Sequence, residues 1–205
     1  MRIYATTDVG RERDHNEDAF VVCANLLDNA SWGKKNIDTN FPSYDLGNYG
    51  TLLVVADGLG GVNSGEVASD LAVEGVKSFF VEKMGEISKD KQLEVRKVLE
   101  EAIHFCNNKI IAHGKSNPET QGMGTTIILG WVIKDIVYIS WVGDSRAYLY
   151  RPSDTNKLSQ ISKDHSLVQE LIDKGEITEE QAFYHPNKNI TVSYTHLTLP
   201  TKRIV

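Results

Sequence analysis

The chain has 205 residues, of which 40% are hydrophobic and 24% are charged, enough for one domain with a real core or the larger part of one. Its net charge of −6 argues against general attraction to nucleic acids or anionic membranes, and no apolar run reaches the roughly 18 to 20 residues that span a bilayer. Asp8 precedes any hydrophobic signal region, and Cys23 and Cys106 form no C-x-x-C pair. We therefore expect a protein of the reducing cytoplasm, with no nucleic-acid or membrane partner.

Strands are predicted from runs rich in β-branched and aromatic residues. Five such runs occur, at residues 19–23, 51–56, 125–133, 136–142 and 146–150. Lys134 and Asp135 separate two of them and predict a tight hairpin turn. Residues 25–49, with scattered Asn, Asp, Gly, Ser and Pro, are predicted to form a long loop.

Helices are predicted from apolar residues that recur at steps of three and four. Two of them, over residues 68–80 and 95–110, fall between the second and third strands. A third is predicted from His165 to Lys174, with Asp164 as its N-terminal cap and Gly175 as its stop. Because strands and helices come in blocks, the order favours an α+β fold with antiparallel sheets and helices outside.

Three acidic loops adjoin the strand-like runs. Residues 54–61 (VVADGLGG) place Asp57 between an apolar run and a glycine-rich turn. Residues 13–18 (RDHNED) lie upstream and residues 143–146 (GDSR) lie downstream. A strand-end Asp-Gly alone is more often a turn, but carboxylates on three loops together favour a hard cation, because Mg²⁺ and Mn²⁺ take oxygen ligands and keep several waters.

Four motifs occur in a fixed order: residues 13–18, 57–61 (DGLGG), 122–126 (GMGTT) and 143–148 (GDSRAY). Their order and spacing resemble the bacterial branch of the metal-dependent serine/threonine protein phosphatase (PPM) family. The resemblance covers roughly residues 1–190. It implies a four-layer α-β-β-α sandwich of two antiparallel sheets flanked by helices, with two or three Mg²⁺ or Mn²⁺ ions at one end of the sheets.

The resemblance also implies metal ligands. Asp57 would bridge two metals, and the Gly58 carbonyl would bind one of them. Asp18, with Glu17 beside it, would hold the second metal largely through water. Because neighbouring residues alternate across a strand, the two cannot point the same way unless the strand begins there, and we favour Asp18. Asp144 resembles the ligand of a third metal, although it could equally cap its own turn.

Arg13 resembles the family arginine that clamps the substrate phosphate. A guanidinium offers a planar fork of donors that matches two phosphate oxygens, which lysine cannot do. Arg11 is the alternative, and the spacing to Asp18 favours Arg13.

The remaining motif residues have structural interpretations. Ser145 and Arg146 are expected to fix their loop, and Thr125, with Gly122 and Gly124 before it, to let the backbone turn near the cluster. His15 is expected to face solvent. Eukaryotic relatives often carry a histidine directly after the Asp-Gly, where this chain has Leu59. A proton for the leaving group must then come from water or from elsewhere.

The end of the chain departs from the family. Residues 160–189, with His165 and His185, resemble its flap, a variable subdomain near the active site. Family members continue into a further strand, a second Asp-Gly and a final Asp-Asn, whereas residues 192–201 (VSYTHLTLPT) resemble a translated transposase adapter of a sequencing library. We expect residues 1–191 to be a partial PPM-type domain missing its C-terminal strands, 192–205 to be a non-native tail, and the chain to have little or no activity.

Two functions remain open from the sequence. The first is a phosphoserine/phosphothreonine protein phosphatase acting opposite a Ser/Thr kinase, and the second is a catalytically silent phosphoprotein-binding or signalling module of the same fold. Intact Arg13, Asp18, Asp57 and Asp144 favour the enzyme. A P-loop protein is disfavoured because residues 58–61 are not followed by Gly-Lys-Ser/Thr, and a serine hydrolase because no G-x-S-x-G elbow occurs.

Overall fold

A computed structural model describes residues 3–27, 32–33, 49–60, 64–87, 94–155, 157–188, 190–192 and 201–204. The strands are β1 Asp18–Cys23, β2 Trp32–Gly33, β3 Thr51–Leu59, β4 Gly124–Thr125, β5 Ile127–Ile133, β6 Ile136–Val142, β7 Tyr148–Tyr150, β8 Leu158–Gln160 and β9 Thr201–Ile204. The helices are α1 Ser64–Ile87, α2 Val95–Ser116, α3 Leu167–Asp173 and α4 Glu179–Phe183, with a 3₁₀ turn at Pro118–Thr120. Over these ranges, no helix has the length and apolarity needed to cross a membrane.

An antiparallel sheet of seven strands forms the centre of the fold. Six of them follow the order β2-β1-β3-β5-β6-β9, and β4 pairs with the end of β3. The strands β7 and β8 form a separate antiparallel sheet. The α+β class and the antiparallel pairing are confirmed, and the predicted turn closes the β5–β6 hairpin, with Ile133 opposite Ile136.

Helices α1 and α2 pack together on one face of the large sheet. Phe80 of α1 is fully buried and meets Trp131 of β5 edge to face, with 5.2 Å between ring centroids. The predicted four-layer sandwich is present in part among the described residues: these two helices form one outer layer, and the second sheet has two strands.

Burial alternates along β3 and assigns its residues to the two faces of the sheet. Leu52, Val54 and Ala56 are buried in the core with the helices. Val55, which is 50% exposed, and Asp57 lie on the other face. The acidic end of β3 therefore lies on the side of the sheet that α1 and α2 do not cover.

Helix α3 begins later than the sequence predicts. Its cap is Ser166, whose hydroxyl accepts a backbone N–H of the first turn at 3.3 Å. Asp164, the predicted cap, instead accepts hydrogen bonds from the Arg146 guanidinium. The predicted stop is confirmed, since Gly175 follows the helix with a φ of +72°.

Two predicted segments fall mainly outside the described residues. Of the predicted loop 25–49, only residues 25–27, 32–33 and 49 are described, and Trp32–Gly33 pairs with β1. Of the predicted tail, residues 193–200 are not described, and the backbone of Thr201–Ile204 pairs with β6. The non-native origin of residues 192–205 stays a prediction.

A glycine at the entrance to β3 lies against the neighbouring strand. Gly50 has a φ of +79°, and a Cβ there would overlap the backbone carbonyl of Val132 in β5. The Leu26 N–H donates to the Gly50 carbonyl at 3.2 Å, and Trp131 Nε1 donates to the Tyr49 carbonyl at 2.7 Å. These contacts fix how the chain enters the strand with the acidic end.

Replacing Gly50 by Ala should therefore destabilise the fold through a backbone clash. We expect Gly50→Ala to lower the free energy of unfolding in urea by more than ~2 kcal/mol. Gly10→Ala is the matched control, because Gly10 has a φ of +78° but nothing within 4 Å of its would-be Cβ. The control should lose about 1 kcal/mol, from the left-handed backbone alone. Equal losses in the two variants would show that the contact with β5 is unimportant.

Candidate metal centre

Asp18 and Asp57 lie directly opposite each other at one end of the β1–β3 pair. Because they are cross-strand partners, their side chains lie on the same face of the sheet. Besides burial, the Asp18 carboxyl group raises the pKa of Asp57, so the two groups lie within electrostatic reach of each other. Two neighbouring carboxyl groups can offer several oxygens to one cation, and the Asp18 charge disfavours ionisation of Asp57 when no cation lies between them.

The pKa of Asp57 reflects this crowding. Partial burial, followed by the negative charges of Asp18 and Asp144, raises its pKa from the ordinary 3.8 to about 6, whereas Arg13 acts in the opposite direction. By surface area the residue remains exposed, so water screens part of the repulsion. A divalent cation would replace this repulsion with attraction, and the carboxyl pair therefore fits a hard metal ion.

Asp144 belongs to the same electrostatic environment. It follows β6, is half-buried, and contributes to the raised pKa of Asp57. Within the described ranges, no group of three or more His, Cys, Asp or Glu side chains lies close enough to hold a metal ion. The Asp18–Asp57 pair is thus the preformed part of the site, and waters and backbone oxygens would have to complete a coordination shell.

Glu17 is held separately from this pair. Its carboxylate pairs with Arg13 at 2.5 Å, and a Cβ on Gly65 at the start of α1 would overlap it. Its carbonyl accepts the Gly58 N–H at 3.0 Å. Strand β1 begins at Asp18, so the structure places Asp18 rather than Glu17 opposite Asp57.

A cavity of about 440 Å³ opens beside the carboxyl pair. Asp18 and Asp57 line it together with Arg11, Arg13 and His15, and the last three are exposed. Of the two arginines, Arg13 lowers the pKa of Asp57, which places its charge within electrostatic range of the pair. Three further acidic residues also line the cavity: Asp8, Glu12 and Glu17. The cavity therefore brings carboxylates and arginines together.

The backbone of Asp57 is fixed by two threonines that follow one another in sequence. The Asp57 carbonyl accepts the Thr126 N–H at 2.8 Å and the Thr125 hydroxyl at 2.9 Å. The Asp57 N–H donates to Thr126 Oγ1 at 3.1 Å. Thr125 stands among the residues predicted to shape the turn. Thr126 belongs to the same GMGTT motif, but sequence reasoning assigned it no role of its own, because its place between β4 and β5 is a property of the folded sheet.

The loop after β6 is held by the start of the flap-like segment. The His165 N–H donates to the Gly143 carbonyl at 3.0 Å, and the Gly143 N–H donates to His165 Nδ1 at 3.3 Å. Arg146 makes a bidentate contact with Asp164 at 2.7 to 3.0 Å. Burial lowers the pKa of His165, which keeps Nδ1 free to accept. Arg146 thus fixes its loop, as predicted.

The family-level comparison agrees with the motifs. A family profile described as Protein phosphatase 2C matches residues 33–202. The chain belongs to the protein phosphatase 2C family. This family is metal-dependent, in keeping with the paired carboxyl groups at the end of β1 and β3.

Two bacterial members of this family are similar to the chain. The chain is 36% identical over 184 residues to the "Serine/threonine phosphatase stp" of Listeria welshimeri, a match that covers 90% of this chain and 62% of the relative. It is 34% identical over 139 residues to the "Serine/threonine protein phosphatase PstP" of Mycobacterium tuberculosis, covering 68% of this chain and 25% of the relative. The chain therefore spans less than two thirds of the length of these relatives.

Solved structures of the family share the fold. The S. agalactiae serine/threonine phosphatase superposes with a TM-score of 0.74 at 27% identity, covering all of this chain and 73% of that one. The catalytic domain of PstP in complex with two manganese ions superposes with a TM-score of 0.68 at 27% identity, covering 99% and 72%. The described residues therefore share the fold of solved phosphatase 2C structures.

Removing the Asp57 charge should stabilise the metal-free protein at neutral pH. A carboxyl whose folded pKa is raised to about 6 from 3.8 destabilises the fold as pH rises through that interval, and the full penalty remains above it. After allowance for solvent screening, we expect Asp57→Asn to raise the free energy of unfolding by about 1 kcal/mol at pH 7.5 in EDTA.

The gain of Asp57→Asn should shrink as pH falls from 6 towards 4, which urea unfolding at several pH values measures. Asp135→Asn is the control, because Asp135 is an exposed carboxylate in the β5–β6 turn at the other end of the strands. A gain in the free energy of unfolding that does not change with pH, or an equal gain in the control, would contradict the interpretation that burial and neighbouring carboxyl groups raise the pKa of Asp57.

Proposed function

We propose that this phosphatase 2C chain belongs to an enzyme that removes phosphate from phosphoserine and phosphothreonine in proteins. The observation that carries the proposal is the Asp18–Asp57 carboxyl pair, which shares one cavity with Arg13. A carboxyl pair selects a divalent cation, and a guanidinium beside it selects an anion. A phosphate group held between a cation and an arginine satisfies both.

The proposed cofactors are two or three Mg²⁺ or Mn²⁺ ions. Asp57 would hold two of them, the Gly58 carbonyl would contribute to one, and Asp18, with Glu17 beside it, would hold the second largely through water. Asp144 would hold a third. When bound, such ions lower the pKa of a water nucleophile and neutralise phosphoryl oxygens during in-line attack. The two manganese ions in the PstP structure are consistent with this proposal.

The chain's own residues would bind and orient the substrate. Arg13 is 70% exposed at its side chain and can reach an incoming phosphate, while its pairing with Glu17 limits the directions its guanidinium can take. A phosphate presents two oxygens to the guanidinium fork. Glu17 is therefore the ion-pair partner of Arg13 in the free protein, and a phosphate dianion would have to compete with Glu17 for the guanidinium.

The proposed substrates are phosphorylated proteins, and the proposed counterpart is a Ser/Thr kinase that adds the same phosphate. The names of the Listeria and Mycobacterium relatives support this substrate class. We propose a cytoplasmic location with neither nucleic-acid nor membrane partners, because the net charge of −6 would not attract polyanions.

A catalytically silent phosphoprotein-binding module is the second candidate. The observation that favours it is that the described residues contain no group of three or more potential metal-binding side chains. A site that bound phosphate through Arg13 and held a cation weakly would recognise a phosphoprotein without hydrolysing it. The two candidates differ in phosphate release, not in phosphopeptide binding.

The test measures Mn²⁺ binding and phosphate release on the same samples of the chain. We expect Mn²⁺ to bind, and a phosphothreonine peptide to lose phosphate slowly and only with metal. Asp57→Asn should weaken Mn²⁺ binding at least ~10-fold and phosphate release at least ~100-fold. Arg13→Lys should mainly raise KM, since it removes the bidentate contact.

The exposed Asp135→Asn again serves as the control for loss of one negative charge, and its Mn²⁺ affinity should equal that of the wild type. Binding of Mn²⁺ and phosphopeptide without any phosphate release would favour the silent module. If neither ligand binds, both candidate functions are wrong.

A further inference from the structure

Thr126 contacts two parts of the candidate site, the backbone of Asp57 at the end of β3 and the loop after β6 that carries Asp144. It follows β4 and precedes β5, and only 2% of its surface is exposed. Its N–H donates to the Asp57 carbonyl, and its hydroxyl accepts the Asp57 N–H. One residue therefore satisfies both backbone groups of Asp57, at a point where the regular β-ladder has been interrupted.

The same side chain contacts the loop that carries Asp144. Its hydroxyl lies 2.6 Å from the Ser145 hydroxyl. Its methyl group packs against Gly143, since a Cβ there would lie 2.6 Å from Thr126 Cγ2. Gly143 has a φ of +104°, so the backbone turns where the threonine leaves room for hydrogen alone. Asp144 is flanked on both sides by residues that touch Thr126.

The two hydrogen bonds of this hydroxyl distinguish it from other buried threonines. Thr51 donates to the Ala24 carbonyl at 2.8 Å, and Thr120 donates to the Asn117 carbonyl at 3.0 Å, so each has a single backbone acceptor. A hydroxyl has one donor and can accept twice. The Thr126 hydroxyl uses this capacity to join the backbone of one acidic residue to the side chain beside another.

We propose that Thr126 is a positioning residue that fixes the backbone of Asp57 relative to the loop of Asp144. The importance of this role for catalysis rests on the proposed function. A cation held by groups on separate loops needs those loops in one geometry. Thr126 supplies this through its hydroxyl on Asp57 and Ser145 and through its methyl on Gly143. It needs to touch neither metal nor substrate.

Three variants test this role. Thr126→Val keeps the shape but removes the hydroxyl, and Thr126→Ser keeps the hydroxyl but removes the methyl. Thr51→Val is the control, because it makes the same change at a buried position at the opposite end of β3. Amide hydrogen exchange followed by NMR reports on Asp57 and residues 143–145, and Mn²⁺ titration and urea unfolding are measured in parallel.

In Thr126→Val we expect amide exchange at Asp57 and at residues 143–145 to rise at least ~10-fold, and Mn²⁺ affinity to fall at least ~10-fold. Thr126→Ser should restore most of the protection at Asp57. Thr51→Val should lose stability to a similar extent but keep the wild-type Mn²⁺ affinity and the wild-type exchange at residues 143–145.

Unchanged exchange at residues 143–145 in Thr126→Val, or an equal effect of Thr51→Val there, would overturn the proposal. The exchange measurement needs no metal. If the wild-type chain fails to bind Mn²⁺, the proposed function is wrong, while exchange at the two sites still decides whether Thr126 joins them.

Discussion

The site depends on a like-charge pair that the register of two strands imposes. Asp18 lies opposite Asp57 because Ala19 lies opposite Ala56 and the same register continues to Cys23 and Leu52. Leu52, Val54 and Ala56 must face the helices, and a slip of one residue would turn them to the other face. Like charges in direct register normally destabilise a strand pair. Here the buried apolar face of β3 sets the register, and the register keeps Asp18 and Asp57 opposite each other despite their repulsion.

Close backbone contact at the end of β3 separates Glu17 from Asp18. A Cβ at Gly58 would overlap the Gly65 carbonyl at the start of α1, and a Cβ at Gly65 would overlap the Glu17 carboxylate. The two glycines thus let the helix start and the strand end touch, with the Glu17 carboxylate packed beside them. Asp18, on the opposite side of the chain, remains with Asp57. Two adjacent acids therefore acquire different partners, an arginine and a carboxyl group.

The sequence predicts well those features that depend on local periodicity. The hairpin at Lys134 and Asp135 is one, and both long helices are others, although α1 extends to Ile87 because its last turns still bury apolar residues. Predictions that depend on competition between partners fail. Asp164 is a good cap by type, but the folded chain places it beside Arg146, and a bidentate ion pair outcompetes a cap.

The candidate site can likewise be predicted from local sequence patterns but not where contacts between distant residues decide its geometry. The motifs around Asp18 and Asp57 indicate that both residues matter, but only the strand register shows that they lie opposite each other. The contact between Arg13 and Glu17 could have been suspected from their spacing, yet spacing alone does not tell a phosphate clamp from an ion pair. Thr126 ends the GMGTT motif, but the motif gives it no role of its own, because its importance comes from a gap between two strands and from a loop 17 to 19 residues later.

The loop with Asp144 is contacted from two sides, and the two sets of contacts differ in their exposure to solvent. On the inner side, buried Thr126 contacts Gly143 and Ser145. On the outer side, His165 and Asp164 bind the loop through groups that are partly open to solvent. The Thr126 contacts are buried, whereas the bidentate Arg146–Asp164 pair is open to solvent on the arginine side, where water and salt screen it in part. The inner contacts therefore align the loop with Asp57, because the same Thr126 side chain accepts the Asp57 N–H.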